Sequence, residues 1–133
     1  MTTKDLCADG FQSWSKFNRL SKSDVLRKLP TKFGVYVFRK TTAVGRIRGT
    51  SDILYIGSAC NQNGLQGRLR QYFSPGPSQF TNKRIMEIVG ESEEYEIGWC
   101  ELALKSEAVA LEQRLLERYF EDHGERPPQN LKG

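Results

Sequence analysis

A glutamate, an arginine and two tyrosines carry the chemical content of this chain. Glu112 lies in a run from Ser106 to about Asp122 that reads as the longest helix. At about 100° per residue, Ala108, Val109, Leu111, Leu115, Leu116, Tyr119 and Phe120 form one apolar arc. Glu107, Gln113, Arg114, Glu117, Arg118 and Glu121 fall outside it, and Glu112 lands in its middle. A carboxylate in that setting must be paired, protonated or bound to a cation, because leaving it ionised and unpaired costs roughly several kcal/mol. Arg68 lies in a second helical run, Leu65 to Phe73, at the border of the apolar face and one turn before Tyr72, whereas Arg70 points to the opposite, solvated side. Two readings are open. Arg68 and Glu112 form a buried ion pair, or the carboxylate holds a divalent ion while the planar guanidinium clamps a phosphate. Tyr36 and Tyr55 stand in the tripeptides Gly34-Val35-Tyr36 and Tyr55-Ile56-Gly57. Each phenol alone is an ordinary strand former.

The elements that must position these residues are legible in outline. Ser21 to Asp24 offers caps for a short helix through Leu29, which Pro30 ends. Gly34 to Phe38 and Asp52 to Ser58 read as strands, and Arg39 to Ser51 between them as a long hairpin connection or an extended hairpin tip. Its Arg46 and Arg48 make either a solvated loop or a basic finger on DNA. Asn61 to Gly64 is turn chemistry, and Pro75-Gly76-Pro77 stops the helix that follows it. Further along, Asn82 to Val89 reads as a helix, Tyr95 to Leu102 as a strand, and Gly124 as the stop of the longest helix. The tail Pro127-Pro128-Gln129-Asn130 is extended.

At 133 residues, one core is expected, with no second independent domain. A net charge of +4 and a pI near 9.0 suit a nucleic-acid partner without requiring one. Cys7, Cys60 and Cys100 are odd in number and widely spaced, which speaks against a disulfide framework or a paired-cysteine zinc site and for reduced thiols. The chain shows no signal-peptide core and no apolar run of membrane-spanning length, so a soluble, cytoplasmic protein without membrane partners is expected.

Taken in order, Gly34-Val35-Tyr36, Tyr55-Ile56-Gly57, Arg68 to Phe73, Glu107-Ala108 with Leu111-Glu112, and Pro127 with Asn130 resemble the motifs of the GIY-YIG nuclease superfamily. The resemblance covers about Phe33 to Asn130. It implies an α+β single domain with a small three-stranded antiparallel sheet, strands near 34–40, 52–59 and 95–102, flanked by helices. Residues 1–30 would be a polar, helical extension packed on a catalytic domain of residues 31–133. It further implies a metal-dependent endonuclease that hydrolyses DNA. Tyr36 and Tyr55 would be the active-site phenols, Arg68 the catalytic arginine, Tyr72 a further site residue, Glu112 the ligand of one magnesium or manganese ion, and Asn130 a supporting polar residue.

Tyr36 is the first choice for the base that takes a proton from water, with Tyr55 orienting that water or exchanging roles. A phenol titrating near pH ~10 is a poor base at neutral pH unless nearby cations depress it, so the arginine and the metal serve both purposes. The chain departs from the family pattern in places. The stretch between Tyr36 and Tyr55 is long, Ser58-Ala59-Cys60 stands where some relatives carry lysine, and Gln66-Gly67 precedes Arg68 where a basic residue is common. Arg46, Arg48, Arg70, Lys83 and Arg84 are candidates for DNA contact, although solvated faces explain them equally well. His123 reads as a dipole partner at a helix C-terminus, and Trp14 and Trp99 as core anchors. The competing function is a non-catalytic nucleic-acid-binding or interaction module on the same fold. A homodimer is expected if both strands of a duplex are cut.

Overall fold

The structure, a computed structural model, describes residues 1–131. Strands β1 (Trp14–Lys16), β2 (Phe33–Gly45), β3 (Thr50–Ala59) and β4 (Tyr95–Leu102) form one antiparallel sheet in the order β1-β4-β2-β3. The expected three strands are therefore four. The added edge strand is only three residues long, too short to show an alternating pattern, and its place is set from outside. Gly98 on β4 leaves the space that the Trp14 ring fills, since a Cβ there would lie 2.8 Å from Trp14 Cε3. The Arg39 guanidinium stacks 4.1 Å from the centre of the same ring. Trp14 and Trp99 are half-buried, each packed against one of the two cores.

Of the two readings of Arg39 to Ser51, the extended hairpin is the one adopted. β2 runs on to Gly45, with irregular register around Arg39, before the turn that Gly49 makes at φ 69°.

Helices α1 (Lys22–Lys28), α2 (Gly64–Phe73), α3 (Phe80–Val89) and α4 (Lys105–His123) begin and end within about two residues of the sequence expectation. Short 3₁₀ turns precede β1 (Thr3–Asp9) and α1 (Arg19–Ser21). Gly124 closes α4 in the left-handed region at φ 73°.

The sheet is covered on both faces, and the pleat of β2 sorts its side chains between them. Tyr36 and Phe38 join Phe17, Val25, Leu65, Leu69, Tyr72 and Ile85 in the core under α1, α2 and α3. Val35 and Val37 join Leu6, Phe11, Ile56, Leu111, Leu115 and Tyr119 under α4. The buried stripe of α4 is Ala108, Leu111, Leu115, Tyr119 and His123, narrower than the expected arc, because Val109 and Phe120 are 40% and 54% exposed. His123, read from the sequence as a dipole partner, is buried at the C-terminal end of α4 and tied to the chain's N-terminus and the hairpin tip. Its Nδ1 is 2.7 Å from the Arg48 carbonyl and its Nε2 2.9 Å from the amine of Met1. Among the described residues, no helix is long and apolar enough to cross a membrane.

Candidate functional site

The two glycines of the paired tripeptides set the geometry at the base of the β2–β3 hairpin. A Cβ on Gly34 would stand 2.4 Å from the Cys100 carbonyl oxygen and 2.7 Å from Leu65 Cδ1. Only glycine lets α2 seat this deeply on β2. A Cβ on Gly57, which faces Tyr36 across the strand pair, would lie 2.6 Å from Tyr36 Cζ and 2.7 Å from Tyr55 Cε2. The vacated space is filled by the two phenol rings, whose centres are 6.1 Å apart.

Seating α2 brings Arg68 and Tyr72 onto Tyr36. The hydroxyls of Tyr36 and Tyr72 are 2.8 Å apart. Arg68 Nε donates to Tyr36 Oη at 3.2 Å, Nη1 donates to Gln71 Oε1 at 2.9 Å, and the guanidinium lies 5.4 Å from the centre of the Tyr72 ring. Tyr36 and Tyr72 are fully buried, and that burial pushes both phenols well above their ordinary range, with Arg68 pulling the other way. For Arg68 itself, burial works to lower the guanidinium, but the phenols around it outweigh burial and hold it more firmly protonated.

Glu112 approaches from α4, on the other side of the sheet. Among the described residues, no ion pair joins it to Arg68, so the simple buried pair is not formed. Burial raises the Glu112 carboxyl above the usual glutamate range; hydrogen bonding to the Ser58 side chain, the Arg68 charge and the Ser58 backbone oppose the rise. Ser58, which stands where some relatives of the resembled family carry lysine, thus lies close enough to the carboxylate to favour its charged form. The pleat signals this, because Ser58 pairs with Val35 and shares its α4 face.

Glu112 and Tyr55 line one cleft of about 500 Å³, together with Phe80, Arg84, Gln129 and Asn130. Tyr36 and Tyr72 are buried and do not line it, and Arg68 lines a separate, smaller hollow of about 130 Å³ at the start of α2. Tyr55 joins the two halves: half-buried, it packs on Tyr36 and faces the cleft.

Asn130 reaches the site through the backbone. Its Oδ1 accepts from the Ile56 amide at 3.0 Å and its Nδ2 donates to the Ile56 carbonyl at 2.9 Å, while the Gln129 amide donates to the Leu54 carbonyl at 3.0 Å. Arg84 clamps the same tail, with Nε donating to Gln129 Oε1 at 2.6 Å and Nη2 to the Gln129 carbonyl at 3.1 Å. Both contacts support the strand that carries Tyr55.

The other candidate cations are dispersed. Arg46 donates to the Arg126 carbonyl at 2.7 Å and pairs with Glu125 at 2.9 Å. Arg48 donates to the Glu121 carbonyl at 2.6 Å. Both are engaged by the C-terminal end of α4 and the residues just beyond it. Arg70 is exposed on α2, and Lys83 Nζ lies 5.6 Å from the centre of the Phe80 ring.

Among the described residues, no three His, Cys, Asp or Glu side chains gather into a metal cage. The donor set of the cleft nonetheless fits a magnesium-like ion, which keeps several waters and takes one or two carboxylates with phosphate oxygens. Glu112 supplies one such carboxylate, and a cation beside it would relieve the cost of burying its charge.

Compared with protein-family models, with curated proteins and with solved structures, the chain gives no match.

Proposed function

We propose that the protein is a metal-dependent DNA endonuclease that hydrolyses phosphodiester bonds in the cleft between β3, α3 and α4. The observation that carries this reading is Tyr55, a phenol packed on the Arg68-bonded Tyr36 and open to the same cleft as a half-buried glutamate.

Glu112 would hold a magnesium or manganese ion, which when bound neutralises charge developing at the scissile phosphate and the leaving oxygen. Arg68 has Nε and Nη1 occupied by Tyr36 and Gln71, which orients the guanidinium; its Nη2 would donate to non-bridging oxygens of a strand that extends from the cleft to the neighbouring hollow that Arg68 lines. Burial changes the division of labour between the tyrosines. A general base must reach the water it deprotonates, so Tyr55 takes that role, and Tyr36 becomes the buried phenol that fixes Arg68. Asn130 and Arg84 are positioning residues for β3.

Supercoiled plasmid incubated with the protein and magnesium or manganese should be nicked, and Glu112→Ala and Arg68→Ala should not nick it. No nicking with either metal, or equal nicking by the variants, overturns the reading. A non-catalytic nucleic-acid module would instead bind DNA in a salt-sensitive way without cleavage. The half-buried carboxylate speaks against it, since pure binding gains nothing from a costly anion in the groove. Where both strands of a duplex are cut, two copies would act together, and solution mass with and without DNA measures this.

A further inference from the structure

Phe80, the first residue of α3, leaves 69% of its surface in water on the rim of the cleft that holds Tyr55 and Glu112. Its support is rigid. Gln79 Oε1 accepts from the Gly76 amide at 2.8 Å and from Asn82 Nδ2 at 3.2 Å, which ties the proline-glycine loop to the helix that presents the ring. One cation stands near it: the Lys83 ammonium lies 5.6 Å from the ring centre, while Arg84, held on Gln129, lines the same cleft. An exposed flat apolar ring with one ammonium near it, on the rim of a groove, matches a nucleotide, whose base is a π surface and whose phosphates are anions. In an intact duplex the base faces are covered by their neighbours and only edges are offered in the grooves. A face becomes available only where a base is unpaired and unstacked.

We propose that Phe80 stacks an unpaired base of the bound strand, and that the cleft therefore takes single-stranded or locally unpaired DNA in preference to intact duplex. The substrate class rests on the endonuclease reading, but the stacking contact can be tested without cleavage. With EDTA present to stop hydrolysis, binding of a fluorescein-labelled single strand and of a duplex of the same length is measured by anisotropy. A strand carrying 2-aminopurine reports stacking by its fluorescence.

Wild type should bind the single strand more tightly than the duplex. Phe80→Ala should weaken the single strand by about ten-fold and abolish the 2-aminopurine signal, while duplex affinity stays nearly unchanged. Phe80→Trp should retain both single-strand affinity and signal. Equal single-strand affinity of wild type and Phe80→Ala, or tighter binding of duplex by wild type, overturns the proposal. The two readings fail separately. A protein that shows the Phe80-dependent signal but never nicks DNA loses the endonuclease reading and keeps the stacking contact. Glu112-dependent cleavage of a single strand that Phe80→Ala leaves unimpaired overturns the stacking proposal alone.

Discussion

The β2–β3 hairpin puts its polar groups to opposite uses at its two ends. At the tip, Arg46 and Arg48 spend their donors on the Arg126 and Glu121 carbonyls and on Glu125, and the Arg48 carbonyl in turn meets buried His123. These groups complete a helix terminus, whose last carbonyls have no partner within the helix. At the base, two glycines remove side chains so that phenols, Arg68 and α2 can crowd together, and the half-buried Glu112 faces a cleft. Basic residues on a hairpin are therefore not by themselves a nucleic-acid surface. What marks the base end is polar chemistry kept at a packing cost and directed at open space.

Four substitutions set the two ends against each other. Arg68→Ala and Glu112→Ala should each lower cleavage by about 10²–10³-fold while leaving the circular dichroism spectrum intact, which a plasmid time course measures. Gly57→Ala should come next, losing about 1–3 kcal/mol in denaturant titration, because the new methyl meets Tyr36 and Tyr55; unchanged stability would break the account of the base end. At the tip, Arg46→Ala should cost about 1–2 kcal/mol in the same titration and leave cleavage nearly untouched. A selective loss of DNA cleavage in that variant would return the hairpin tip to the substrate.

The smallest effect expected is on the carboxylate itself. An acid whose carboxyl is raised by folding loses stability as pH climbs from the ordinary glutamate range through its raised value. At neutral pH, Glu112→Gln should therefore melt roughly 1–3 °C higher than the metal-free wild type, an effect trimmed by the solvent that reaches the carboxylate. Below the ordinary glutamate range, where the carboxyl is protonated in both the folded and unfolded states, that gain should disappear. The same variant should be inactive on DNA. A lower melting point at neutral pH would mean that the carboxylate is a structural partner after all.

Much of this arrangement was readable before the structure, and its gaps have physical causes. The runs that became α2, α3 and α4 carried their own periodicity and stops, as did the cores of β2, β3 and β4. β1 did not, since its place depends on room made by Gly98 in a distant strand. Glu112 stood out as a misplaced charge, but the turn of Arg68 toward Tyr36 depends on how deeply Leu65 seats over Gly34. The arginines of the tip read as a solvated loop or a basic finger because their acceptors lie more than 70 residues away in the chain. The unequal exposure of Tyr36 and Tyr55 follows from strand order. β2 has neighbours on both sides, whereas β3 is at the edge of the sheet, so one phenol is sealed and the other reaches the cleft.

That edge strand carries a liability that Asn130 answers. An unprotected β3 would offer its amides and carbonyls to any passing strand, including β3 of a second copy. The carboxamide of Asn130, with one acceptor and one donor turned to the two backbone groups of Ile56, occupies that ladder as a one-residue surrogate strand. Edge-to-edge self-assembly through β3 must first peel the tail away. Asn130→Ala would thus leave the chain prone to oligomers joined edge to edge through β3, which size-exclusion chromatography at rising concentration would reveal.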